Sequence, residues 1–291
     1  MRAVFIVAVM STTCAWAAPA PKSLVVCFDG WRADAVGPAV TPTVDRLATG
    51  TWQLGYHAFF TTTARVIDDA PTISGPNHVA ILTGLTARRT GVSSNGESEL
   101  AAVRAPDYLR RLEQHDAALV TMKLAEWPPD ERIPSGADVV AIGPDAAIVD
   151  RAAAALAGDV DALFLFLDGP DAAGHAEGFG SAAYARAVAS ADGALAGLLA
   201  VVAARPSFAN EDWQIVVTTD HGGVGRDHGG ASADETTIPF LVASRATPAG
   251  SGTVCNVDVA PTVLAHFGLD PAPYGLDGVA RVPVTPRLIR R

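Results

Sequence analysis

Three apolar runs in this chain each break off into an aspartate. Ser23-Leu-Val-Val-Cys-Phe28 stops at Asp29-Gly30, and Ala162-Leu-Phe-Leu-Phe-Leu167 stops at Asp168-Gly169-Pro170-Asp171. Ile215-Val216-Val217 runs into Asp220-His221. None alternates polar with apolar residues, as a strand with one wet face would. Unbroken apolar runs of this length read as strands buried on both faces, the habit of parallel sheets covered by helices.

The stretches between them read as helices. Thr41 and Pro42 open one that runs to Ala48, with Thr41 as its N-cap and Gly50 after its end. Further helices are expected from Ser74 through Val79–Leu82, over Pro106–His115, over Ala146–Leu156, over Tyr184–Ala203, and over Asp258–Phe267 with Gly268 closing it. Additional strands are expected at Ala118–Met122, at Val139 and Val140, and at Ile238–Val242. Alternating strands and helices predict an α/β fold, a three-layer sandwich around a central, mostly parallel sheet. Residues 51–73 and 91–105 read as loops or small excursions from one domain covering 19–291.

With 291 residues, 49% of them hydrophobic, the chain can bury a large core. Its net charge of −10 argues against a groove for polymeric nucleic acid, which needs a basic face. Met1 to Ala18 has the build of a secretory signal peptide: Arg2, an apolar core from Ala3 to Met10, and Ala15-Trp16-Ala17 as cleavage site. That predicts a periplasmic or secreted protein, with no transmembrane segment once the leader is removed. Cys27 and Cys255 would remain. An oxidising compartment permits a disulfide between them, but Cys27 inside an apolar strand reads more naturally as a buried free thiol.

Ligands of open α/β sheets bind beyond the carboxyl ends of the strands. The donors gathered there are Asp29, then Asp171 with His175, then Asp220 with His221, and His228 on the following glycine-rich loop. Carboxylate oxygen and imidazole nitrogen both suit zinc-like divalent cations. Ser74 opens a helix, where free backbone N–H groups favour an anion. His78, one turn further on, reads as a residue that braces that helix.

Together these pieces resemble the alkaline phosphatase superfamily, in particular its nucleotide pyrophosphatase/phosphodiesterase branch. The carriers are Phe28-Asp29-Gly30, Ser74-Gly-Pro-Asn-His78 with Leu82-Thr83-Gly84, Asp171-Ala-Ala-Gly-His175, Thr219-Asp220-His221-Gly222, and His228-Gly229-Gly230 before Ile238-Pro239-Phe240. The resemblance implies an alkaline-phosphatase-like fold and two zinc ions, with another divalent metal as an alternative. One ion would be held by Asp171, His175 and His228, the other by Asp29, Asp220, His221 and the oxygen of Ser74. It also implies that Ser74 is the nucleophile and that Asn95, 21 residues on, binds the phosphoryl group.

Sulfatases of this superfamily need arginine where His78 stands in Ser74-Gly-Pro-Asn-His78, which argues against that chemistry. Monoesterases often carry a Lys-x-Arg pair beside their metals. The nearest candidate here, Lys123, leads instead into Trp127-Pro128, which resembles the aromatic wall of the phosphodiesterase branch. Arg65 and Arg88 are the other cations that could serve. The expectation is a secreted hydrolase of small phosphate diesters or pyrophosphates acting through phosphoserine. A phosphomonoesterase, a sulfatase and a non-catalytic metal-binding protein are the alternatives.

Overall fold

The computed structural model describes residues 18–250 and 252–284. The leader-like segment lies outside them except for Ala18. Seven strands form one sheet: β1 (Ala20–Phe28), β2 (His57–Arg65), β3 (Thr121–Ala125), β4 (Val139–Ile142), β5 (Ala162–Leu167), β6 (Glu211–Thr218) and β7 (Thr237–Ser244). Their order across the sheet is β2-β7-β6-β1-β5-β3-β4. All pairings from β6 to β4 are parallel, while β7 runs antiparallel to both β6 and β2. The fold is therefore the expected sandwich with a mostly parallel sheet.

The apolar runs do bury both faces. Leu24, Val26, Phe28, Leu163, Leu165, Leu167, Ile215 and Val217 enter one core. Val25, Cys27, Phe164, Phe166 and Val216 enter the other. Helices Pro42–Ala48, Asp145–Ala157 and Ala182–Ala203 cover the first face. Helices Ser74–Thr83, Tyr108–His115 and Val259–His266 cover the second. Ala182–Ala203 is long and apolar enough to cross a membrane. In this fold it packs on the sheet instead, and buries Asp192 along with Val188, Leu195 and Leu199.

Several boundaries differ from expectation for physical reasons. β3 begins at Thr121, not Ala118, because Val120 donates its N–H to the Asp161 carboxylate at 2.8 Å and the chain turns there. The strand continues through Lys123, a charge that breaks the apolar pattern. Lys123 is fully buried, and its Nζ donates to the carbonyls of Asp130 and Ile133 at 2.7 and 3.2 Å. Thr41 does not cap its helix through its side chain: the hydroxyl accepts from Gly37 N. Asp192 supplies the cap from a distance, accepting from Thr43 N and Val44 N at 2.9 Å each. Residues 51–73, read as a mixed strand and loop region, do contribute β2, whereas 91–105 holds a helical turn, Glu97–Ala101. Cys27 and Cys255 are both free thiols.

At the amino-terminal end of β6, Arg205 and Glu211 form a buried two-pronged pair, with bonds of 2.8 and 2.7 Å. Trp213 Nε1 and Ser207 Oγ also donate to Glu211. Burial opposes the charge, but these donors hold the carboxyl down to about 2. A folded-state pKa below the unfolded value gives stability above about pH 4.5 that is lost as pH falls through about 2. Glu211→Gln is expected to cost about 2 kcal/mol at pH 7 and nothing by pH 2, read as converging urea midpoints. A penalty that does not change with pH would assign the loss to shape rather than charge.

Candidate metal centre

β6, β1 and β5 are neighbours at the middle of the sheet, so the residues that follow them emerge side by side. Phe28 pairs with Leu167, and Cys27 with Thr218, which brings Asp29, the Asp168–Asp171 turn and Asp220 to one rim. The chain after β5 is a helix, Gly169–Glu177, that the apolar pattern does not announce. Its turn places Asp171 and His175 four residues apart on one face. Pro170 in its first turn was the available signal.

All seven side chains expected at the centre come together. His175 Nε2 stands 3.2 Å from Asp171 Oδ2 and 3.1 Å from His228 Nε2, and His228 Nε2 stands 3.6 Å from Asp171 Oδ1. His221 Nε2 lies 3.2 Å from Asp220 Oδ2, 3.5 Å from Asp29 Oδ1 and 3.4 Å from Ser74 Oγ. Three donor groups are compact enough to hold one ion each: Asp171 with His175 and His228; Asp29 with Asp171 and His221; and Asp29 with His78 and Asp220. Asp29 and Asp171 each belong to two of these groups, and Asp171 links the two expected sites.

The histidines are oriented as ligands would be. His175 Nδ1 meets the Arg226 carbonyl at 2.9 Å, His228 Nδ1 the Thr72 carbonyl at 2.8 Å, and His221 Nδ1 the Gly222 carbonyl at 2.9 Å. A carbonyl only accepts, so each Nδ1 carries the proton and each Nε2 turns a lone pair inward. Two such lone pairs facing each other at 3.1 Å, as in His175 and His228, repel unless a cation lies between them. Two nitrogens on one tetrahedral zinc would stand roughly 3.3 Å apart.

The carboxylates show the same demand. Both oxygens of Asp29, Oδ1 of Asp171 and Oδ2 of Asp220 are buried with no hydrogen-bond partner. Buried acceptors of this kind are costly unless something positive meets them. Burial, and then the charges of Asp220 and Asp171, push the Asp29 carboxyl well above the usual carboxylate range. Burial likewise lifts Asp171 to about 6. The residues present thus fit the binding of divalent cations.

His78 is fully buried between Asp130 and Asp220, with Nδ1 3.2 Å from Asp130 Oδ1 and Nε2 3.3 Å from Asp220 Oδ2. Burial disfavours its charge, but the Asp130 and Asp220 carboxylates outweigh that and push the imidazole up to about 9. An imidazolium has no lone pair for a metal, so His78 braces Asp220 rather than joining the ligands.

Asn95 Oδ1 accepts from Gly75 N at 2.8 Å, which ties the 91–95 loop across the start of the Ser74 helix and leaves the amide Nδ2 as the group Asn95 offers outward. Gly75 is required there, because a Cβ would sit 2.7 Å from Ser94 O and 2.9 Å from Asn95 Oδ1. The expected anion hole at this helix start is smaller than the sequence suggests: the Gly75 N–H is taken and Pro76 has none.

Solved structures of similar shape share the fold. The chain matches a sulfatase from Bacteroides thetaiotaomicron with a TM-score of 0.69 at 15% identity, covering 89% of this chain and 73% of that one. It matches murine ectonucleotide pyrophosphatase/phosphodiesterase 5, solved as an inactive variant in complex with AMP, with a TM-score of 0.60 at 14% identity over 93% and 97%. The C-terminal periplasmic domain of EptC from Escherichia coli gives 0.60 at 13% identity over 94% and 88%. These likenesses are of fold, that of the alkaline phosphatase superfamily. No curated protein matches the sequence. The model of the type I phosphodiesterase / nucleotide pyrophosphatase family matches residues 23–100 and 101–229, most of the chain, and the chain belongs to that family. It is a phosphoester hydrolase of the superfamily.

Proposed function

We propose that this chain is an exported two-metal phosphodiesterase that cleaves small phosphate diesters or pyrophosphates through a phosphoserine at Ser74. The observation that carries the reading is the setting of Ser74 Oγ, 3.4 Å from an inward lone pair of His221 and beside buried, unpaired carboxylates. Asp171, His175 and His228 would hold one ion, and Asp29, Asp220, His221 and Ser74 the other. Bound there, zinc or a similar divalent ion lowers the pKa of the serine hydroxyl and offsets charge on the phosphoryl group. Ser74 Oγ gives up its proton to solvent and attacks phosphorus, the bond to the leaving oxygen breaks and that oxygen takes up a proton, and water then cleaves the bond between Ser74 Oγ and phosphorus to release the phosphate monoester. Asn95 Nδ2 donates to a phosphoryl oxygen. His78, held by Asp130, keeps Asp220 in place. Export rests on the leader-like Met1–Ala18.

The arrangement of cationic side chains favours diesters. A monoester dianion needs extra cationic donors for its third terminal oxygen. Lys123 is buried against backbone carbonyls, Arg65 at the end of β2 donates to Thr237 on β7, and Arg88 is exposed beside Asp69. Trp127 is half-buried with its ring edge-on to His78, so only part of it is left to form a wall. For a matched aryl pair, kcat/KM for the diester is expected to exceed that for the monoester at least tenfold, about 1.4 kcal/mol. Asn95→Ala should lower the diester value by roughly one to two orders of magnitude. One purified sample offered aryl diester, monoester and sulfate decides this; a monoester or sulfate preference overturns the diester reading.

A further inference from the structure

The segments that carry the cluster share an unusual neighbour. Gly30 follows Asp29, Gly174 precedes His175, and Gly223 lies two residues after His221. A Cβ on each would run into one and the same ring, that of Phe179, at 2.9 Å from Gly30 and 2.5 Å from Gly174 and Gly223. Gly30 has a φ of +64°, so its backbone alone excludes other residues. Gly174 and Gly223 have no such excuse, since their backbone conformations are open to alanine. Their lack of a side chain is explained by the ring.

Phe179 is buried, and its own N–H donates to the Gly225 carbonyl at 2.7 Å, on the loop that carries His228. The ring stands edge-on to His175 at 5.9 Å and to His228 at 6.3 Å. On its other side it packs at 5.4 Å against Tyr184, whose hydroxyl donates to the Gly30 carbonyl at 2.7 Å. One ring therefore touches every segment that supplies the more exposed half of the cluster.

We propose that Phe179 is a positioning residue for the cation held by Asp171, His175 and His228: its ring is the spacer that sets how closely those segments approach. This rests on the reading of those three residues as cation ligands. The ring stands edge-on to His175 and His228 and meets the segments of the other site through Gly30 and Gly223, so its larger effect falls on the first of the two sites.

The test uses the full purified chain loaded with zinc. Affinity is read by chelator competition, bound zinc is counted per chain after dialysis, and the visible spectrum of the cobalt form is recorded. Phe179→Leu should weaken one ion at least tenfold and the second by less, and alter the cobalt spectrum, the scale on which groups supporting metal ligands act. Gly174→Ala should do the same with Phe179 intact, although alanine is ordinarily preferred within a helix. The Gly174→Ala/Phe179→Leu pair should bind better than Gly174→Ala alone, because the smaller side chain makes room for the methyl. Should Phe179→Leu fail to fold, the comparison of Gly174→Ala with the double variant still decides. Wild-type affinity and spectrum in both single variants, or no recovery in the double variant, overturns the positioning role. A wild-type chain that takes up no zinc overturns the ligand reading itself, a separate result.

Discussion

Ser74→Ala is expected to lower kcat roughly 10³-fold or more, on the order of 4 kcal/mol of transition-state stabilisation, while the protein stays folded. The fold does not depend on this hydroxyl. Ile73, not Ser74, is the N-cap of the helix, and Ser74 Oγ has His221 Nε2 as its neighbour at 3.4 Å. Alanine is the better helix former, so the melting temperature should hold. Losing the oxygen removes the hydroxyl that stands at a helix start beside the donor groups. Substrate quenched in acid during turnover should leave the phosphoryl group, with its retained ester substituent, on Ser74 in the wild type and none in the variant. If the alanine variant turns over at a near-normal rate, water attacks the substrate directly and the covalent route is wrong.

Exhaustive chelation is expected to abolish activity and to destabilise the protein. Without cations, Asp29, Asp171 and Asp220 face one another in a buried site, and His175 and His228 set two lone pairs together. An ion that binds only the native chain adds on the order of 3 kcal/mol per site at a hundredfold excess over its Kd. The thermal midpoint should therefore fall on chelation and recover with added zinc, with Mn²⁺ a weaker substitute given the mixed nitrogen and oxygen donors. Acid should act in the same direction. Burial holds His221 and His228 below the ordinary imidazole value, so both are neutral at pH 7 with Nε2 available. Because these pKa values are depressed on folding, the unfolded chain takes up protons first below about 6.5, and native stability declines as pH falls. Asp171, lifted to about 6, gains a proton over the same range and becomes a poorer ligand for the ion. Metal and activity should leave together between about pH 7 and 5. Full activity after metal analysis shows an empty protein, or a maximum below pH 5 with metal retained, contradicts the ligand assignment.

The sequence by itself determined the sheet and the chemistry at its rim. Unbroken apolar runs can only be buried on both faces, which dictates β1, β5 and β6 and the helical layers around them. The aspartates and histidines after those runs, in their order along the chain, were enough to identify the family and to name seven converging side chains. Tertiary structure decided what depends on partners far away in the chain. Lys123 interrupts the pattern of β3, and only the carbonyls of Asp130 and Ile133 make its burial tolerable. The helix at Pro42 is capped by Asp192, which no local pattern announces. The inward lone pairs of His175 and His228 exist because Arg226 and Thr72 place carbonyls behind them. The glycines beside the ligands looked like loop residues until the ring of Phe179 filled the space they leave. Local composition specifies which faces avoid water, because that preference belongs to each residue alone. Where a proton sits, and how closely two ligands approach, is set by whichever group the folded chain brings up behind them.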